Sequence, residues 1–362
     1  MSDREALRLE FLATHGLADA ARAPLPGDAS TRRYERLTTE AGAHLMLMDQ
    51  APAAESRPCD PAWTAVERHQ QGWNAIARLS AGKIEAFAAV AAHLKSLGLS
   101  APDIIAVDAE NGLALIEDLG DDLFANVIAA GADEVPLYRA AIEALAVIHE
   151  APTPEVLNGT AGEWPLLTYD VVALQGGADL FVEWLPKLIP ALSFSDEAIA
   201  DWRKVWAPIT ASGEAGASVM AHRDYHAENL IHLAGKTGPA SVGLIDFQDA
   251  VKAHPSWDIH SLLQDARRDV SPALEAAMLD HYFALRPSVD RDAFMQDYAG
   301  LAALNEARIL GIFARLIARD NKPKYAAFMP RMWRHLNANL THPALKDVAA
   351  WMDQYVPAEV RQ

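Results

Sequence analysis

Apolar residues recur at helical spacing in one early stretch and in short, bounded runs on either side of it. Ile84, Phe87, Val90, Ala91, Leu94 and Leu97 fall every three or four positions, Gly98 follows as a stop and Pro102 stands beyond, so the spacing predicts a helix. The flanking runs are strand-like: residues 30–37, 44–48 ending at Asp49, and 113–116, each bounded by Gly, Pro or Asp. Past residue 120 the pattern is mostly helical, with residues 137–149 amphipathic, 180–188 a second helix and 301–317 long and periodic. Two short apolar runs, 229–233 and 241–245, break that pattern, and the Gly- and Pro-containing stretch between them predicts a β-hairpin. The expected fold class is α+β. A small β-rich N-terminal lobe over residues 1–119 joined to a larger helical lobe over 120–362 is the expected organisation. Ligands favour the crevice between such lobes.

Composition narrows the function classes. Hydrophobic residues make up 51% and charged residues 22% of 362, an ordinary packed globular composition. A formal charge of −18 argues against broad attachment to nucleic acid or anionic membrane, both polyanions. The single cysteine, Cys59, allows no internal disulfide and no four-cysteine metal site, and it sits in what reads as a loop with no assigned role. No run approaches the ~18 apolar residues of a membrane span, and the charged N-terminal stretch is no signal peptide. A cytoplasmic protein with no obligate protein partner is the expectation.

The chemistry concentrates in residues 221–230, AHRDYHAENL, and 243–248, GLIDFQ. Asp224 and Asn229 lie five apart in a loop entering the first hairpin strand, and Asp246 ends the second. Strand pairing brings Asn229 and Asp246 to one end of the hairpin, beside the loop holding Asp224. Phosphoryl transfer from a nucleotide needs such a set: a carboxylate to take the hydroxyl proton and hard oxygen ligands for Mg²⁺ on the phosphates.

The ordered pair HxDxxxxN and strand-end IDF resembles the aminoglycoside phosphotransferase-like branch of the protein-kinase fold. That resemblance implies a two-lobed, protein-kinase-like architecture, Asp224 as catalytic base, Asn229 and Asp246 as magnesium ligands, and His222 as a structural member of the catalytic loop. Asp258, in HPSWDI, would brace that loop. Residues 27–34, 44–49 with Pro52, 116–120, 222–226 and 261–267 together look like the anomeric amino-sugar kinases of cell-wall recycling, in order across most of the chain. Those kinases phosphorylate the 1-hydroxyl of N-acetylmuramate and N-acetylglucosamine with ATP. The implied partner is a small amino sugar.

On its own physics the front half is compatible. Gly27 permits a tight turn; Asp28, Ser30 and Thr31 offer polar atoms for phosphates. The strand 113–116 could wall an adenine slot, with Glu117 to Leu119 as the connection that reads the adenine edge. An ordinary hairpin turn is the competing reading. Protein kinases place a lysine on the third strand, whereas this stretch, LMLMD, has none; Arg32 or Arg33 is the expected replacement. For the acceptor, Tyr169, Asp170, Glu183 and Trp184 precede the catalytic loop, and His226 lies within it. Asn305, Arg308 and Arg315 share a helical face by spacing. Asp249 reads as a solvated loop carboxylate. Two rivals stand beside this reading. A metallohydrolase could use His222, Asp224, His226, His232 and Asp246, and kinases of choline, aminoglycosides or other sugars carry similar motifs. A nucleotide-binding pseudokinase is the non-enzyme alternative.

Overall fold

In a computed structural model, which describes residues 3–26, 32–51 and 57–361, the chain divides into two compact units, each discontinuous in sequence. One comprises Met1–Leu167 and Glu228–Ala250, the other Thr168–Ala227 and Val251–Gln362. The chain passes between them three times, at 167/168, 227/228 and 250/251. The architecture is α+β, with the main sheet in the N-terminal region and helices dominating the C-terminal part.

In the first unit, strands β1 (Ala21–Pro24), β2 (Arg33–Thr38), β3 (His44–Asp49), β4 (Ile104–Asp108) and β5 (Leu113–Glu117) form one antiparallel sheet in the order β1-β2-β3-β5-β4. Register places Leu37 opposite Leu45 and Leu47 opposite Leu115. Because side chains alternate between faces, Leu37, Leu47, Leu113 and Leu115 gather on one face and pack with Phe11, Leu12 and Leu17. Phe11 and Leu12 belong to a helix, Asp3–Thr14, that the sequence pattern left unassigned. Half of its positions are apolar but charged residues stand between them, and its docking draws on charge as well: Arg8 donates to Glu35 at 2.8 Å, Arg22 to Glu35 at 2.6 Å and to Glu5 at 2.7 Å. Arg4 completes the set on Asp49.

The helix expected between Ile84 and Leu97 is Ile84–Ser96, with Ile84, Phe87, Val90, Ala91 and Leu94 buried as the spacing requires. It is not alone before residue 120, since Ala65–Gln71 is helical too, begun by a reciprocal Thr64–Glu67 capping box. Cys59 is buried, with its thiol 3.5 Å from the Asp60 carbonyl. The expected hairpin is formed by Leu230–His232 and Val242–Leu244, paired Leu230 to Leu244 and His232 to Val242, with a 3₁₀ turn at Gly238–Ser241. Bridges from Ser100 to Gly243 and from Leu123 to Ile231 tie it into this unit.

The second unit is built from helices around a tryptophan-rich core, with one two-stranded ribbon, Val219–Ala221 against Val251–Ala253. Phe181 stacks on Trp202 at 4.9 Å, and Trp202 meets Trp351 at 4.6 Å. Trp202, Trp206, Trp257, Trp333 and Trp351 are all buried, so these rings are core rather than sugar platforms. Helix Val171–Leu188 is longer than the pattern suggested and begins at an Asp170 cap; helix Arg291–Ala318 likewise starts ten residues early, capped by Asp290. The two pack closely at Gly311, where a Cβ would lie 2.3 Å from the Leu180 carbonyl carbon.

Candidate active site

The loop 222–227 follows the strand Val219–Ala221 in the second unit and is held at both ends by buried carboxylates. Asp258 accepts from the His222 N–H at 2.6 Å and from the Arg223 N–H at 2.8 Å. Arg223 needs that support, because its φ of +81° is left-handed backbone that a side chain adopts at a cost. Burial raises the Asp258 carboxyl to about 7; the two amide donors oppose the rise and the Asp224 charge adds to it. At the far end Asp265 accepts from the Ala227 N–H at 3.2 Å and the Arg267 N–H at 2.8 Å, and burial pushes its carboxyl up. Asp224 lies between the braces, partly exposed.

Arg267 reaches back into the same loop, with Nη1 3.1 Å from His226 Nε2. A guanidinium has donors only, so His226 Nε2 accepts and the ring proton resides on Nδ1. Burial, then the Arg267 and His222 charges, hold His226 well below its ordinary range and therefore neutral. His222 is buried, its ring edge-on to Tyr225 at 5.4 Å. Asp265 and Arg267 are the site-supporting residues that sequence reasoning left without a role. Their signal was the string 261–267, whose meaning depends on where the following turn lands.

In the first unit, the end of the hairpin carries Asn229 and Asp246. The Ile245 N–H donates to the Asn229 carbonyl at 3.2 Å, so pairing continues one step past the strands and brings the two residues to the same end. Asp246 has φ +62°, a second left-handed non-glycine position. Its carboxylate accepts from Arg32 Nη2 at 2.6 Å, Arg32 Nη1 also donates to Gln248 Oε1 at 2.6 Å, and Gln248 Nε2 donates to Asp246 at 3.2 Å. Burial works against the Arg32 charge, but Tyr34, Asp246 and Asp249 outweigh it. Asp249 is not a solvated loop carboxylate: it accepts the Ser80 N–H at 2.6 Å. A carboxylate and an amide oxygen are hard donors of the kind a divalent ion takes, and Arg32 holds the Asp246 carboxylate here.

Glu117 ends β5, and its carboxylate accepts the Asp103 N–H at 3.0 Å. In the next turn Asp118 pairs with Arg36, and a Cβ at Gly243 would lie 3.2 Å from Leu119 Cδ1, so Leu119 packs on the hairpin. Arg33 is exposed at the start of β2. Gly27, Asp28, Ser30, Thr31 and Pro52 lie outside the described residues.

The acceptor set is dispersed within the second unit. Tyr169 is 2% exposed, edge-on to Trp257 at 4.8 Å with the Arg223 guanidinium 4.8 Å from its ring, which makes it a support under the loop rather than a surface for a sugar. Asp170 caps its helix by accepting the Ala173 N–H at 3.0 Å. Glu183 is exposed, 3.4 Å from Lys187. Among the described residues no three His, Cys, Asp or Glu side chains gather to hold a metal.

A model of the phosphotransferase enzyme family matches residues 22–304. The chain is 54% identical over 361 residues to an N-acetylmuramate/N-acetylglucosamine kinase of Caulobacter vibrioides, covering 100% of this chain and 99% of that one. A protein of the same name from Pseudomonas aeruginosa is 29% identical over 322 residues, 86% and 82% of the two chains. Among solved structures, an ethanolamine kinase from Plasmodium vivax superimposes with a TM-score of 0.56 over 93% of this chain and 85% of that one; at 11% identity the likeness is one of fold.

Proposed function

The chain belongs to the phosphotransferase enzyme family, and from that premise we propose that it transfers the γ-phosphoryl group of ATP to the anomeric hydroxyl of N-acetylmuramate and N-acetylglucosamine in peptidoglycan recycling. The observation that carries this reading is the 54% identity, along the whole chain, to a relative bearing that name.

Asp224 takes the proton of the acceptor hydroxyl as its oxygen attacks the γ-phosphorus and the bond to the ADP oxygen breaks. An anomeric hydroxyl is more acidic than an ordinary alcohol, so a carboxylate suffices as base. Asp258 and Asp265 fix the backbone on either side of Asp224, which converts binding into aligned attack. Asn229 and Asp246 would hold Mg²⁺, which would neutralise phosphate charge. Arg32 steadies Asp246, and Arg32 or Arg33 supplies the charge of the missing strand lysine. Glu117 and Leu119 border the adenine, His226 and Glu183 face the acceptor, and residues 1–119 and 120–362 act as nucleotide and acceptor lobes. No helix among the described residues is long and apolar enough to cross a membrane, and the reaction fits the cytoplasm, where ATP is available.

Phosphorus NMR of reactions containing ATP, Mg²⁺ and either sugar tests the proposal, with choline and an aminoglycoside as competing acceptors. A 1-phosphate of either amino sugar is the expected product. Phosphorylation of choline or the aminoglycoside alone would overturn the acceptor assignment.

A further inference from the structure

Helix Arg291–Ala318 carries a cation that the protein itself does not neutralise. Arg308 is half-buried, and among the described residues it has no carboxylate within ion-pair distance. Its one side-chain hydrogen bond is from Nη1 to the neutral Asn305 Oδ1 at 2.9 Å, and its buried Nε has no acceptor. Seven residues on, on the same face, Arg315 is held below the ordinary guanidinium range by burial, with Arg319 and Arg308 adding repulsion. On the helix Ser256–Leu263 packed against this one, His260 is 2% exposed and its Nε2 also has no partner. Burial and the charges of His254 and Arg308 keep that ring neutral.

A desolvated, incompletely bonded arginine beside a second one is unfavourable unless something anionic completes it. In a chain of net charge −18, a spare carboxylate would be the cheapest remedy, and none is supplied. The arginine stem is fixed in place, since Gly177 on the facing helix lets it lie where a Cβ would stand 3.0 Å from Arg308 Cδ. The place is close to the chemistry. The eight-residue helix Ser256–Leu263, about 12 Å long, gives Asp258 to the amides of His222 and Arg223 and packs against the helix that carries Arg308. N-acetylmuramate carries a carboxylate on its lactyl ether, and N-acetylglucosamine has none.

We propose that Arg308, oriented by Asn305, is a carboxylate subsite that binds the lactyl group of N-acetylmuramate and plays no part in binding N-acetylglucosamine. The inference rests on the acceptor reading above. A guanidinium meets a carboxylate through two parallel N–H donors, which its two terminal nitrogens can present end-on.

Steady-state kinetics of the wild type, Arg308→Met and Arg308→Lys with each sugar tests it. Arg308→Met is expected to lower kcat/KM for N-acetylmuramate about ten- to a hundredfold, chiefly through KM, and to change the N-acetylglucosamine value less than twofold. Arg308→Lys, with charge but no fork, should lie between. Retained N-acetylglucosamine turnover shows that the variant has folded. A parallel fall for both sugars, or no change for either, overturns the subsite while leaving the kinase reading intact. A wild type that phosphorylates neither sugar overturns the acceptor reading and the subsite with it.

Discussion

Asp224 sits in a loop whose amides are gripped on both sides, so the function of single residues there separates into chemistry and support. Asp224→Asn keeps the shape and removes the base; kcat should fall about a hundred- to ten-thousandfold while nucleotide affinity, measured by calorimetry, stays near wild type. Asp246→Ala should weaken Mg·ATP binding as well as turnover. Support is probed at Asp258, where alanine leaves two buried N–H donors without an acceptor. At about 1–3 kcal/mol each, a loss of about 2–6 kcal/mol in a denaturant titration is expected, and Asp258→Asn should lose about half of it. The residues argued for chemistry were legible because their spacing is local: five positions from Asp224 to Asn229, and a strand end for Asp246. Their partners were not. Nothing in the string around Asp265 says that its carboxylate returns to the Ala227 amide, and nothing near Tyr169 says that its ring goes under Arg223.

At the scale of elements, legibility followed how free of charge an apolar run is. The helix Ile84–Ser96 is mostly apolar, and the pattern located it within a residue. Helix Asp3–Thr14 buries Phe11 and Leu12, but charged residues interrupt it, and Arg4 and Arg8 face Asp49 and Glu35 of the sheet. Its docking depends on partners distant in sequence, which no window of local pattern contains. The first turns of Arg291–Ala318 were obscured in the same way by a polar, aromatic-spaced opening. Where that helix crosses Val171–Leu188, Gly311 allows backbone contact, and Gly311→Ala pushes a methyl into the Leu180 carbonyl. Backbone cannot yield as a flexible side chain can, so a loss of about 3 kcal/mol is expected in urea denaturation. Unchanged stability would show that the helices separate freely there.

Across the whole molecule, buried titratable groups form two opposing sets. Burial holds His260 at about 3 and His335 at about 4, in each case with nearby cations adding to the effect. A folded pKa below the unfolded value near 6.5 means the unfolded chain binds more protons in between, so this contribution is full above 6.5 and is lost as pH falls. Asp258, raised to about 7, and Glu306, raised well above the carboxylate range by burial, do the opposite: their contribution is full below about 4 and is lost as pH rises. The sets offset one another between about pH 4 and 6.5, and replacing one member uncovers the other. His260→Gln removes a group that favours the unfolded state in acid. The stability gap between wild type and variant should narrow by about 1.4 kcal/mol per pH unit below 6.5. A gap independent of pH would mean that His260 takes up its proton as readily in the folded state as in the unfolded one.

The returning segment Glu228–Ala250 gives the molecule a property of its history as well as its shape. On the ribosome, residues 1–167 emerge with the hairpin that belongs to them still unsynthesised, and it arrives only after sixty residues committed to the other unit. Neither half can be finished and set aside before the other begins. A nascent chain of this kind must keep its first half waiting, open at Ser100 and Leu123, until the ribbon that bridges to them has been made.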